Sequence, residues 1–440
     1  MRLAVWSPLP PSTSGIADYV AEGLPVLARS FQVVGVVPDP AAVDRELASR
    51  VALCTPAEAT ADLHVYHLGN SPPHGYVYRA ALARPGVVFL HESNLHHLVL
   101  SQTVEAGDVS AYVRLSRQEH GEEGGFVARQ IARGLGGEML PAIYTLGETV
   151  LRANLAMVGL TRQVCGWAGS VMAPRPAYHL RHHLWLPPHP PSLTEARRRL
   201  GLAEEALLVT LPGLATAHKG VEVAIRAVAR LRRERPEVQL VLAGGEDPHL
   251  PIDAWLEAGG LRSSCVRPGR LSMEGFLAYI AASDVVLALR FPSYGEMSGA
   301  LVRTLGLGKA AIVTAGTAGC EEFPAGCVFP VTPGAREEEA LLEALRALGC
   351  GGSLRQRMGA AASAWVRREH AIEACTRGLA GFLGEVAGRA ESLMRQVEPA
   401  EDAFGLMEYL VGEARWHARD LGLRALPLRA WLGDLAGEQR

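Results

Sequence analysis

Lys219 is one of only two lysines in the chain, with Lys309 the other, against a background rich in arginine. It stands in "PGLATAHKGVEVAIRA", where an apolar run gives way to a loop and then to a helical pattern. A cation at the start of a helix opposes the helix dipole, and an anion bound at the same point would account for it. The alternative is a solvated lysine. Arg267, Gly269 and Arg270 in "SCVRPGR" close another apolar run toward the same expected edge. Cations and helix N–H groups together are suited to a ligand with two phosphates. In "LRFPSYGEMSGALVRTLGLGKAAIV", Glu296 lies just ahead of a helix, with Met297 and Ser298 beside it in the turn. A carboxylate there accepts hydrogen bonds from a pair of hydroxyls. Plain helix capping, by Glu296 or by Ser298, is the other reading, with Leu301 and Leu305 as the buried stripe.

The amino-terminal half offers fewer reactive groups. His91 ends the apolar run of "VVFLHESNLHHLVL", where a strand would deliver it to a cleft. Gly15 in "SPLPPSTSGIADYV" follows the first strand and opens a helix; its bare Cα lets a ligand approach the N–H groups of the first turn. A simple turn capped by Ser14 explains the same residues. Neither a GxGxxG loop nor a Walker A spacing is present. "HESNLHH" is not an HExxH motif, because its fifth position is Leu95. His182, His183 and His189 cluster at a proline-rich stretch, and no metal site is assigned.

These residues need strands and helices to hold them. "LAVW" (3–6), "FQVVGVV" (31–37), "DLHVYHL" (62–68) and "GVVFL" (86–90) read as buried strands, with a helix between the first two spaced on Ile16, Tyr19, Val20, Leu24 and Leu27. Residues 92–160 read mostly as helices, and strand character resumes at "QVCGWAG" (163–169) and "HHLWLPP" (182–188). "PPHPPSLTEARRRLGL" breaks the pattern with four prolines and restarts a helix at Ser192–Glu195. A second alternation follows. Its strands are expected at 206–213, 238–245, 284–290, 309–316 and 327–331, and its helices at 219–234, 251–258, 273–282, 297–307 and 335–348. The tail from 352 reads as helical, with Trp416 and Trp431 packing a cap. The expected layout is an α/β chain of two Rossmann-like domains facing across a cleft: 1–188, a linker at 189–204, 205–380, and a helical extension at 381–440.

Composition narrows the partners. A net charge of −3 over 440 residues supplies no basic field for nucleic acid and no polybasic anchor. The seven cysteines form no CxxC pair, which fits a reducing compartment. No apolar run reaches transmembrane length, and the short run after Met1 is too brief for a signal peptide. A cytoplasmic protein is the expectation. Oligomeric state stays open, a homo-oligomer included.

Taken in order, "PLPPSTSGIADY", "HESNLHHLV", "HKGVEVAIRAVARL" and "ASDVVLALRFPSYGEMSGALVRTLGLGKAAIV" resemble segments of the GT-B glycosyltransferases of family 4, the retaining, nucleotide-sugar-dependent type. "EHGEEGGFVARQIARG" is similar to a helix of a bacterial branch. The resemblance spans residues 1 to about 380. It implies an acceptor-binding first domain and a second domain that holds a UDP- or GDP-linked sugar, with a sugar, lipid-linked or small-molecule acceptor and no cofactor. It further implies that Gly15 lies by the donor phosphate, His91 and Glu296 contact the transferred sugar, and Lys219 grips the diphosphate. Two departures stand out. The arginine usual before the lysine is missing, with Gly213 or a neighbour in its place. Where a second glutamate normally binds the ribose, Arg303 stands instead. These departures keep a catalytically degenerate binding module in view. An epimerase of the same fold, and a structural partner presenting its carboxyl-terminal helices, are further alternatives.

Overall fold

The computed structural model describes residues 1–398 apart from Thr13, Gly136 and Glu138. Short apolar segments assemble into two wholly parallel sheets. The first contains β1 (Arg2–Trp6), β2 (Gln32–Val36), β3 (Ala52–Cys54), β4 (Leu63–Leu68), β5 (Val87–Leu90), β6 (Ala156–Gly159) and β7 (Ala177–His179), in the order β3-β2-β1-β4-β5-β6-β7. The second contains β8 (Leu207–Pro212), β9 (Val238–Ala243), β10 (Cys265–Val266), β11 (Val285–Ala288), β12 (Ala310–Thr314) and β13 (Phe329–Val331), in the order β10-β9-β8-β11-β12-β13. Helices cover both faces, so β4, β5, β6, β8 and β12 are buried at every position and show no polar alternation. This is the expected α/β architecture of two Rossmann-like domains.

Strand order reverses between β1 and β4 and again between β8 and β11. At such a reversal the loops leaving the carboxyl ends of the strands diverge and open a crevice. Loop 213–220 leaves β8 and loop 289–298 leaves β11, so Lys219 and Glu296 flank the second crevice. The loop to Gly15 leaves β1. The two crevices face each other: Ser93, beyond β5, donates through N (2.9 Å) and Oγ (2.8 Å) to the Tyr294 carbonyl. Thr161, beyond β6, donates to the Gly295 carbonyl (2.8 Å).

The chain crosses between domains twice, and the crossings run side by side. Leu184 bridges Ala371, and its N–H donates to the His370 carbonyl at 2.7 Å. Helix Ile372–Gly388 then returns to the first domain, where Phe382 stacks on Tyr178 with ring centroids 4.9 Å apart. The expected boundary at residue 380 falls inside this helix. One apolar cluster consequently runs from Val5, Tyr19 and Phe89 through Leu379 and Phe382 to Leu301, Val302 and Leu305 of the second domain.

Several local readings need correction. "QVCGWAG" belongs to helix Arg162–Met172, which buries Val164, Ala168 and Met172 at a spacing of four and is capped by Thr161. Its apolar residues were read with the wrong period. The strands of this region are β6, inside the stretch expected to be helical, and β7. "HHLWLPP" is an extended connector with one bridge, and β3 was not anticipated. Ser192 and Glu195 form a full capping box at helix Leu193–Leu200. Residues 352–394 are mostly helical as expected. The cap built on Trp416 and Trp431, and the extension from 399 onward, lie outside the described residues. No helix among the described residues is long and apolar enough to cross a membrane.

Candidate active site

Lys219 does not open a helix. It ends a 3-10 turn, Ala217–Lys219; Gly220 follows at φ +65°, and helix Val221–Glu234 begins beyond it. The positive φ turns the chain so that the lysine leaves the helix axis. Its Nζ lies 3.0 Å from the point a Cβ on Gly213 would occupy. Gly213, itself at φ +82°, therefore makes room for the ammonium beside the end of β8. Lys219 is half-buried, and no hydrogen bond or ion pair holds its Nζ among the described residues. Burial, and then the neighbouring Arg290, bring its pKa down to about 7.

Glu296 is not the helix cap. Ser298 fills that role at helix Gly299–Gly306, accepting from Leu301 N (3.2 Å). Instead the Glu296 carboxylate accepts from Tyr294 N (2.7 Å) and Ser293 Oγ (3.1 Å) and faces Arg290, with Nε and Oε1 3.4 Å apart. Met297 is buried in the interdomain apolar cluster. The Met297 side chain is thus packed and the Ser298 hydroxyl committed to the cap.

Across the crevice, His91 sits at the end of β5 with its Nε2 3.1 Å from His67 Nδ1. Tyr19, on the helix that Gly15 opens, meets the His91 ring edge-on at 5.3 Å. Burial, with His67, His74, His182 and His183 around it, keeps His91 neutral well below its ordinary range. It is thus a hydrogen-bonding group rather than an acid. Ser14 caps the first turn at Ile16 N (3.2 Å), and a Cβ on Gly15 would meet nothing within 4 Å. The helix end is therefore open on that side.

Two expected cations lie at the edge of the second sheet. Arg267 is held by Glu246 (Nε–Oε1 2.7 Å) and by Asp253 (Nη1–Oδ1 2.6 Å). It follows β10, the edge strand, and its partner Glu246 bridges Ala215 of the loop before Lys219. Arg270 is exposed on the same edge. Glu322 caps Arg162 N (2.6 Å) in the first domain and lies 3.5 Å from His179 Nε2. Arg303 is buried against Glu22 of the first helix, whose other oxygen meets His183 Nε2 at 3.1 Å. The residue standing for the ribose-binding glutamate is an interdomain ion pair. Among the described residues no group of three or more His, Cys, Asp or Glu is arranged to hold a metal ion.

Two residues of the crevice were missed. Arg290 ends the β11 run, and its backbone N–H is fixed on Thr314 Oγ1 (3.0 Å). Burial lowers its pKa, opposed by Glu296 and Glu92. Glu92 follows His91 and accepts from Asn70 N (3.1 Å). Burial, then the charge of Glu296, raise its carboxyl to about 8, so it is protonated at neutral pH. The signal for both is position: Glu92 follows His91, and Arg290 is the last residue of the apolar run 284–290.

Residues 206–349 match the family profile "Glycosyl transferases group 1". No curated protein sequence matches the chain. Among solved structures, sucrose-phosphate synthase from Thermosynechococcus elongatus aligns at a TM-score of 0.61 and 16% identity, over 88% of this chain and 99% of that one. HepE from Anabaena, in complex with UDP and glucose, aligns at 0.57 and 13%, over 88% and 100%. A glycosyltransferase from Rickettsia africae aligns at 0.58 and 12%, over 88% and 98%. These likenesses establish the shared GT-B fold.

Proposed function

We propose that this chain is a retaining glycosyltransferase that moves a sugar from a UDP- or GDP-linked donor to an acceptor hydroxyl. The observation that carries the reading is Lys219: a half-buried ammonium with no partner among the described residues, at the point where strand order reverses in the second sheet, with an open helix end at Gly15 beyond β1 of the first. The group 1 profile over the second domain supports it, as does the fold shared with a protein solved with UDP and glucose.

In this reading the bond between the anomeric carbon and the diphosphate oxygen breaks as the acceptor oxygen attacks from the same face. The acceptor proton passes to the departing diphosphate. Lys219 and the N–H groups at Gly15 stabilise the charge that develops on that leaving group. Glu296 and the neutral His91 hold sugar hydroxyls, while the Met297 and Ser298 backbone lies along the donor. The apposed domains exclude water that would otherwise compete as acceptor. Arg303, in place of a ribose-binding carboxylate, is the observation that favours a binding module without turnover.

A panel of nucleotide sugars, screened by thermal shift and followed by product analysis with the best stabiliser, separates the readings. Transfer or slow hydrolysis that disappears in Lys219→Ala supports the enzyme. Tight binding with no turnover of any donor supports the module, and an epimerised sugar would replace both.

A further inference from the structure

We infer that Arg290 supplies the second cation of the diphosphate site, in place of the arginine missing from the 213–219 loop, and that it exchanges Glu296 for the diphosphate when donor binds. This rests on the donor reading above and adds to it a residue and a movement.

The loop before Lys219 has no arginine: Gly213, Leu214, Ala215, Thr216, Ala217 and His218 fill it. Leu214 is half exposed, and Gly213 is occupied in accommodating Lys219 Nζ. One lysine cannot balance two phosphates. Arg290 reaches the same crevice from the other side of the strand reversal, because β11 is the direct neighbour of β8. The two loops are tied together where Phe291 N donates to the His218 carbonyl (2.8 Å). Arg290 lies near enough to Lys219 to add its repulsion to the burial that lowers the lysine's pKa. Two cations drawn together, only one of them facing a carboxylate, form a site prepared for a further anion.

The resting grip on Arg290 is weak. Nη1 donates to its own neighbour's carbonyl at Leu289 (3.0 Å), and Nε makes no hydrogen bond among the described residues. The 3.4 Å contact with Glu296 is ionic and undirected. Two oxygens of one phosphate offer the guanidinium a better, bidentate partner. Glu296, once released, keeps its bonds from Tyr294 N and Ser293 Oγ and turns its free oxygen to the sugar. The exchange thus couples diphosphate capture to exposure of the sugar-binding carboxylate.

UDP, which carries the diphosphate without the sugar, tests this by calorimetric titration of the full chain, with GDP run in parallel. Arg290→Gln is expected to lose about tenfold or more in UDP affinity. Glu296→Gln is expected to bind UDP several-fold more tightly than wild type, since nothing then competes for Arg290. Arg290→Lys, which keeps the charge and loses the fork, falls between wild type and Arg290→Gln. Thermal unfolding confirms that each variant is folded. Arg290→Gln binding within twofold of wild type would overturn the inference. So would Glu296→Gln weakening UDP as much as Arg290→Gln does. Wild-type chain that binds neither UDP nor GDP overturns the donor reading itself, and with it this inference.

Discussion

Four cations along the second domain differ sharply in what neutralises them. Arg267 is clasped by Glu246 and Asp253, and Arg303 is buried against Glu22. Arg290 has one loose ionic contact, and Lys219 has no partner among the described residues. The first pair is neutralised by the fold, and the proposed function gives the second to a ligand. Residue type alone did not separate them; the partner did. All four were equally basic in the sequence, and the two arginines picked out for the diphosphate, Arg267 and Arg270, sit on the outer edge of the sheet.

The contrast breaks first at Lys219. Lys219→Ala is expected to lower kcat/KM for the preferred donor by about a hundredfold or more, the usual effect of removing one preorganised group from a developing charge. Steady-state kinetics checks it. Arg303→Gln should behave oppositely. It strands Glu22 in the interior, costing about 3–5 kcal/mol of stability in urea unfolding, while UDP affinity per folded molecule stays within about threefold. An Arg303→Gln variant that lost UDP selectively would place Arg303 with the ligand groups after all.

The pH dependence sharpens the difference. Lys219 is half neutral near pH 7, so UDP binding draws a proton onto it. Affinity is expected to fall by up to about tenfold per pH unit above 7 until the bound lysine itself titrates. Titrations in buffers of different ionisation heat should show the proton uptake, and Lys219→Met should abolish it. Glu92 supplies a stability counterpart. Its carboxyl stays protonated in the fold up to about pH 8 but ionises near 4.5 when unfolded, so the unfolded chain binds fewer protons between those values and stability falls as pH rises through them. Glu92→Gln removes that slope. Its gain in melting temperature should be largest at pH 8 and vanish near pH 4.5. The smallest effect belongs to Arg267→Gln, expected to leave UDP affinity within about twofold because its charge is already cancelled.

Much of this was legible in the sequence. Buried parallel strands announce themselves as short apolar runs between turn residues, and the alternation of 206–348 reproduced the second sheet nearly strand for strand. The region 92–190 was harder. β6 is only four residues long, and helix Arg162–Met172 is rich in residues that suit strands, so its spacing of four was masked. Lys219, Glu296, His91 and Gly15 follow the ends of β8, β11, β5 and β1, which are recognisable in the sequence as the ends of short apolar runs. What could not be read was pairing. That Arg303 reaches Glu22 across 281 residues, or that Glu322 caps a helix of the other domain, depends on how two separately folded sheets meet. No local pattern encodes that.

The account stands or falls on where a diphosphate sits. A crystal structure of the full chain with UDP is the most direct measurement. It should place the diphosphate within hydrogen-bonding distance of both Lys219 Nζ and the Arg290 guanidinium, with Glu296 released from Arg290. A nucleotide bound instead at Arg267 and Arg270, with Lys219 turned to solvent and Arg290 still on Glu296, would contradict it.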